Sequence, residues 1–506
     1  MKFSLERHAL VICIAIASLA LVWPSALKKV VQPIVQGAIS TIGGGFFVFV
    51  NFILLALVLL CLSPLAKKKM GGEQAKIEFS TFGWLAMLFA AGMGSGLVFW
   101  GVAEPVIHSV EKPLKQGLYP DNIGASLALT MLNWGVHAWA LYGAFGLLLG
   151  GVTKALSTTD DISAPALYAL PTHLQQRLKP TVQSVIYLIA IVAIFFGVVG
   201  TIANASMLLH NGAQMTLTSM GFDIAESWIA VAVLLIITFI YFMSSQLGLH
   251  RGIQTLSIIN IYLAFVMLVL VVLVVPIAPI VKTVLVALKD YAMLIVSGAW
   301  QLDSQLKDSK WANVWTYNYY FWWLAWGPFV GIFLARISRG RPLWQYILGV
   351  VFIPSLMSLV WFSVLGGSAL ALDGSSHASL ISAVNEDYTK GVFIFFAELG
   401  GMGHILTWLS FFLLVVFVAT SADSALLVIR QLCSTLSRKR SLLIWSLTMT
   451  LISLGLVVIA DEKLNRNIAV IGALPFAFIF IWQVVGFIKA LSKELLSEGD
   501  EKAPIE

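Results

Sequence analysis

Residues Tyr320-Phe-Trp-Trp-Leu-Ala-Trp-Gly-Pro-Phe329 put three tryptophans, a glycine and a proline into one uncharged stretch, and Arg336-Ile-Ser-Arg-Gly-Arg341 follows a few residues later. Leucine would supply the same bulk hydrophobicity. Tryptophan adds a large electron-rich face that attracts cations, quaternary ammonium groups above all. A Gly-Pro step inside an apolar segment frees backbone groups, which membranes tolerate only where they face protein or a cavity. The stretch therefore reads as a membrane-buried segment, interrupted at Gly327-Pro328, with a candidate site for a methylated ammonium group.

The rest of the chain supplies the membrane. Its 506 residues are 59% hydrophobic and 11% charged, whereas a soluble globular chain carries about 25% charged residues. Apolar runs near the length needed to cross a bilayer recur throughout. We read twelve spans, at 8–27, 43–65, 80–107, 122–152, 182–210, 226–246, 253–280, 312–335, 342–367, 402–430, 441–460 and 467–490, with an interfacial helix over 282–300. Residues 1–26 resemble a signal peptide, but the apolar run over 9–23 is long for one and reads better as an uncleaved first span. The net charge of +6 does not indicate nucleic-acid binding, because the basic residues sit in short loops. With both termini inside, 20 of the 31 Lys and Arg residues fall on the inner side, as the positive-inside rule requires. Cys13, Cys61 and Cys433 form no disulfide or metal-ligand pattern.

Two glycine-marked interruptions stand five spans apart: Gly92-Met-Gly94-Ser-Gly96 in the third span and Gly327-Pro328 in the eighth. Five spans apart means opposite directions through the bilayer, and paired broken helices in inverted repeats mark a transporter's central site. The expected fold class is all-α and integral to the membrane. Its twelve helices form a five-plus-five inverted-repeat core with two peripheral N-terminal helices. The expected division is 1–79, 80–300, 301–490 and a short cytoplasmic tail over 491–506.

Gly92, Gly94 and Gly96 let backbone approach a ligand, whose carboxylate exposed amides would hold. On spacing alone, close helix packing is the commoner use of such glycines. Trp134, Trp139 and Tyr142 lie at i, i+5 and i+8, spread over about 140° of one helix, and with Trp323 they form a candidate aromatic cage. They fall inside their spans rather than at the ends, which argues against an interfacial aromatic belt. Phe417, Thr420 and Ser421 share one face of the tenth span, and the hydroxyls suit a small hard cation such as sodium. Taken alone, those hydroxyls more often bond carbonyls of their own helix. Asp423 reads as structural, bonded to backbone or a nearby Arg. Glu104 reads as facing water at a span end, His137 as a packing residue, and Arg336, Arg339 and Arg341 as topology signals.

These segments together resemble the betaine/choline/carnitine transporter family. The matching stretches are Ala91-Gly-Met-Gly-Ser-Gly-Leu-Val-Phe-Trp-Gly-Val-Ala-Glu-Pro105, Trp134-x4-Trp139-x2-Tyr142, Trp322-Trp323-x2-Trp326-Gly-Pro-Phe-Val-Gly331 with Ala335-Arg-Ile-Ser-Arg-Gly-Arg341, and Thr420-Ser-Ala-Asp-Ser424. The resemblance covers about residues 45–490. It implies alternating access, homotrimers in the cell inner membrane, and no cofactor beyond a coupling sodium ion. It carries the family's aromatic box onto Trp134, Trp139, Tyr142 and Trp323, with Trp326 nearby. It carries the sodium site onto the backbone of Ala90 and Met93 with Phe417, Thr420 and Ser421. Sodium-independent exchangers of the family lack this serine and have an arginine where Asn260 stands here, so the resemblance implies sodium coupling. The threonines of a second sodium site correspond to Ile194 and Val198. Choline-type members often have an aspartate in the glycine run. Its absence implies a zwitterion of the glycine betaine type. The tail over 491–506 is short and holds five acidic residues, so strong osmotic activation is not expected. The alternatives are proton-coupled choline uptake, with His137 or Asp423 carrying the proton, and sodium-independent exchange of carnitine or betaine. A non-transporting sensor or a membrane enzyme is disfavoured by the missing metal or catalytic pattern.

Overall fold

The computed structural model describes residues 2–93, 96–151, 156, 161–219, 221–222, 226–433, 437–459 and 461–500. Among them there is no β-strand, only two isolated bridges, Lys69 with Pro342 and Leu114 with Leu306. Nine of the described stretches are long and apolar enough to cross a membrane. One of these, Trp228–Val274, joins two crossings through a π-helical turn at Leu249–Ile253. The fourth span is split into two shorter helices, and the third is described as Thr81–Met93 and Gly96–Glu111 on either side of residues 94–95. Twelve crossings result, and the chain is a multi-pass membrane protein.

In order, the spans are Lys2–Val22, Pro24–Leu62, Thr81–Met93 with Gly96–Glu111, Asn122–Trp134 with Val136–Leu149, Thr172–Ser219, Glu226–Gly248, Gln254–Val274, Thr316–Ile337, Leu343–Leu370 around a π-helical turn at Leu348–Phe352, Gly401–Cys433, Arg438–Ile459, and Glu462–Asp500. The second and fifth helices run well past their apolar cores. Hydropathy reads only the part that meets hydrocarbon, so it misses 24–42 and 172–181. Pro33 and Pro180 sit inside these helices without ending them. The interfacial helix is Ile277–Met293, five residues earlier than the sequence suggests, because Pro276 caps it and the apolar periodicity starts at once. Its Ile277, Val281, Leu285 and Leu288 are exposed along one face, while Ile280, Ala287, Asp290 and Tyr291 pack inward on the fourth and ninth spans.

The packing has an internal symmetry. The third span packs on the seventh, ninth and tenth, and the eighth packs on the twelfth, fourth and fifth. The fifth packs on the sixth, eleventh and twelfth, and the tenth on the eleventh, sixth and seventh. Exchanging each span with the one five places away turns one set of neighbours into the other. Because equivalent spans stand five places apart, an odd offset, they cross in opposite directions and the repeats are inverted. The first two spans lie outside the sets so exchanged, the third to seventh with the eighth to twelfth.

Two expectations about the backbone are corrected. The eighth span is one helix from Thr316 to Ile337, with Pro328 inside it. Membrane helices accommodate proline where neighbours satisfy the freed backbone. Its glycines serve packing instead: a Cβ on Gly327 or Gly331 would fall 2.2 or 2.6 Å from atoms of Phe145 in the fourth span. Conversely, the fourth span is broken at Gly135, where the sequence suggests one continuous span. The first half ends at Trp134, Gly135 has ψ −143°, and the second half starts at Val136. Tyr291 of the interfacial helix stabilises the break by accepting from the Val136 N–H at 2.9 Å. A Cβ on Gly135 would lie 2.3 Å from that hydroxyl, so glycine is needed for the approach.

Candidate functional site

The break at Gly135 brings Trp134 and Trp139 to the centre from two different helices. A single helical face, which their spacing suggests, therefore does not explain their convergence. Trp323 of the eighth span meets Trp134 edge to face, ring centres 4.9 Å apart at 76°. Tyr142 meets Trp323 at 6.0 Å and 76°, and Trp139 meets Tyr142 at 5.8 Å and 80°. The four rings thus form one continuous aromatic wall, none more than 3% exposed. Near-perpendicular pairs within 7 Å are the favoured arrangement and contribute about 0.5–1.5 kcal/mol each. Trp326 points elsewhere, against Gly197 of the fifth span and Phe329.

The two halves of the wall are held differently. The Trp134 indole N–H donates to Glu104 at 2.8 Å, and the Trp323 N–H donates to the Asn133 carbonyl at 2.8 Å. The Trp139 indole N–H and the Tyr142 hydroxyl are buried and make no hydrogen bond among the described residues. Buried polar groups are normally paired, so two orphans in one wall call for an explanation.

Glu104 is the residue that the sequence misplaces. It is fully buried rather than facing water. Besides Trp134 it accepts from Asn133 Nδ2 at 2.8 Å and from the Tyr319 hydroxyl at 2.6 Å, with His108 Nε2 at 3.3 Å. Tyr319 stacks in turn on Trp323 at 5.8 Å. A charged residue inside a span is functional by default, and that signal is present in the sequence. The following Pro105 suggests a helix end, but the helix continues to Glu111.

Glycines seat this wall on the third span. A Cβ on Gly92 would lie 2.6 Å from the Trp139 ring, and one on Gly96 would lie 2.4 Å from the Trp134 ring. Gly94 lies outside the described residues. Besides these glycines, the third span meets the wall through Glu104, bonded to Trp134, and Phe89, stacked on Trp139.

The tenth span meets the third span beside this wall. The Ser421 hydroxyl reaches the Ala90 carbonyl across the helix interface at 3.4 Å. The Thr420 hydroxyl donates within its own helix, to Phe417 O at 2.8 Å and Val416 O at 3.0 Å, and accepts from Asn260 Nδ2 at 3.2 Å. Asn260 Oδ1 is buried without a partner among the described residues. Phe417 touches Phe89 at 6.3 Å, and Phe89 stacks on Trp139 at 6.3 Å and 14°. Met93 lies about one turn beyond Ala90 on the same helix. The neutral, hard oxygens of Ala90, Thr420, Ser421 and Asn260 suit a monovalent hard cation.

Comparison with known proteins settles the family. The family described as betaine/carnitine/choline transporters matches residues 6–496. The chain belongs to the betaine/carnitine/choline transporter family. It is similar to an ectoine/hydroxyectoine transporter of Virgibacillus pantothenticus, 32% identical over 90% of this chain and 88% of that one. It is also similar to a glycine betaine transporter of Bacillus subtilis, 30% identical over 96% and 94%. A high-affinity choline transport protein of Escherichia coli is 29% identical over 90% and 67%.

Within this betaine/carnitine/choline transporter, Asp423, His137 and the arginines after the eighth span take structural places. Asp423 accepts from the hydroxyls of Ser244 in the sixth span and Ser424 and from the Ser424 backbone, so of the two expected partners it takes backbone. His137 is buried against Phe47 of the second span, ring centres 5.7 Å apart. Arg341 is not a loop signal: it is 1% exposed, donates to Phe79 O at 2.8 Å and lies 4.1 Å over the Trp84 ring. It fastens the segment after the eighth span to the start of the third. Arg336 pairs with Glu78 at 3.1 Å in the same place. Ile194 and Val198 are buried and offer no oxygen side chain.

Proposed function

We propose that this transporter imports a zwitterionic quaternary ammonium solute of the glycine betaine type by sodium symport with alternating access. The observation that carries the reading is the aromatic wall with its two orphan donors. Ring faces attract a trimethylammonium group, while the Trp139 N–H and Tyr142 O–H supply hydrogen bonds to a carboxylate that choline lacks. Backbone of the glycine run is the further partner for that carboxylate. The spread of named relatives, over ectoine, glycine betaine and choline, fits a site that recognises a bulky cation first.

Sodium coupling is supported by the oxygens at the junction of the third and tenth spans. Sodium held by Ala90, Met93, Phe417, Thr420 and Ser421 would tie the tenth span to the third span, and Asn260 stands beside that set without a positive charge. Phe89 then links ion and substrate, since it touches both Phe417 and Trp139. One sodium per cycle is expected, with both termini cytoplasmic and the protein a homotrimer in the cell inner membrane.

Equilibrium binding to the purified protein tests this. Glycine betaine, choline and ectoine are titrated in sodium chloride and in potassium chloride. Glycine betaine is expected to bind most tightly, at least about tenfold more so in sodium, which is a typical coupling of about 1.4 kcal/mol. Tightest binding of choline, or equal affinities in both salts, would overturn the substrate or the coupling respectively.

A further inference from the structure

Glu104 offers no ring face and no donor to a ligand, yet its carboxyl is bonded to the box. Three of its side-chain partners give hydrogens: the Trp134 N–H at 2.8 Å, the Tyr319 O–H at 2.6 Å and the Asn133 amide at 2.8 Å, with His108 Nε2 at 3.3 Å. Both carboxyl oxygens thus accept from donors. The carboxyl is fully buried, so its field is little screened by water. Trp134 is fixed by it at one edge and by the close approach of Gly96 at another. The second anchored ring is linked as well, because Asn133 gives its amide hydrogen to Glu104 and its carbonyl accepts from the Trp323 N–H.

We propose that Glu104 is a specificity-determining residue for the cation: its charge, acting through the indole N–H of Trp134, makes that ring's face a stronger cation binder. Attraction of a cation to a ring is electrostatic and follows the ring's charge distribution. A charge-assisted hydrogen bond is short, strong and polarising. Pulling the N–H hydrogen toward a carboxylate moves electron density into the ring, so the face turned to the ligand becomes more negative. A purely structural Glu104 would hold the ring in place and affect cationic and neutral ligands alike. The inference rests on the reading that the box holds a quaternary ammonium group.

The test compares glycine betaine with 3,3-dimethylbutanoate, which has the same shape and carboxylate but carbon in place of the charged nitrogen. Both are measured as ligands of the purified transporter and of Glu104→Gln, which keeps the volume and an acceptor oxygen but removes the charge. Glu104→Gln is expected to weaken glycine betaine about tenfold, within the range of a desolvated cation–π contact, and the isostere less than about twofold. In Trp134→Phe, which keeps a ring without the N–H, adding Glu104→Gln is expected to cost glycine betaine less than about twofold further, the non-additivity of groups acting through one contact. Equal weakening of both ligands, or the full loss in the Trp134→Phe background, would overturn the proposal. Should Glu104→Gln fail to fold, Trp134→Phe alone decides: it must lower the preference for glycine betaine over the isostere, and an unchanged preference refutes the inference. A wild-type protein with no such preference would instead sink the reading of the box itself. A wild-type preference that Glu104→Gln leaves intact sinks only the role of Glu104.

Discussion

The third and eighth spans occupy equivalent places in the two repeats and both carry glycines against aromatic rings, yet only the third seats rings of the candidate site. In the eighth, Gly327 and Gly331 admit Phe145 and the helix continues through Pro328. In the third, Gly92 and Gly96 admit Trp139 and Trp134. Glycine in a span therefore reports that something large comes close, not that the helix ends there. The eighth span is the continuous helix that carries Trp323. The third lies beside the substrate and ion candidates.

Six substitutions break or sharpen that contrast. The largest effect is expected from Trp323→Ala on the eighth span. Losing a desolvated cation–π face should weaken glycine betaine about thirtyfold or more, with the expressed protein still monodisperse on size exclusion. Unchanged affinity would remove the wall from the site. Next come the glycines. Gly96→Ala and Gly92→Ala push Trp134 and Trp139 and should raise KM about tenfold. Gly327→Ala crowds Phe145 instead, costing about 1–3 kcal/mol of stability, seen as a lower Tm with KM nearly kept. If Gly327→Ala raises KM as much as Gly96→Ala, the two spans do not differ in role.

Ser421→Ala on the tenth span should raise the sodium concentration for half-maximal uptake about tenfold, the size of a typical coupling energy. Its hydrogen bond to Ala90 at 3.4 Å is long, so stability should change by less than about 1 kcal/mol. An unchanged sodium requirement would detach this hydroxyl from ion coupling. The smallest effect is expected at Pro328. The helix is already continuous there, so Pro328→Ala should alter uptake less than about twofold, since the bond a proline interrupts is already satisfied by context. A large loss would mean that the eighth span bends during transport after all.

Much of the fold is legible in the sequence because hydropathy and charge placement act over whole spans. The twelve crossings, the outlying first two helices and the five-span offset of the repeats can all be read there. What escapes depends on single tertiary contacts. The break at Gly135 needs the Tyr291 hydroxyl from a distant helix, and one glycine among many in apolar helices does not announce it. Trp134, Trp139, Tyr142 and Trp323 are recognisable as candidates from residue type and depth. The geometry that unites them is not, because two helices rather than one present them. Glu104 is visible as a charge inside a span, but its place depends on how far a helix runs past Pro105. Thr420 illustrates the reverse: its hydroxyl does bond its own helix, as membrane helices usually arrange, while the adjacent Ser421 crosses to the third span.

The central claim is that the wall and the neighbouring oxygens together drive accumulation of a quaternary ammonium zwitterion. Uptake of radiolabelled glycine betaine into proteoliposomes, with an inward sodium gradient and with potassium in its place, tests it most directly. The account predicts accumulation above equilibrium with the sodium gradient and only slow equilibration without it. Equal uptake in both conditions, or none in either, would contradict it.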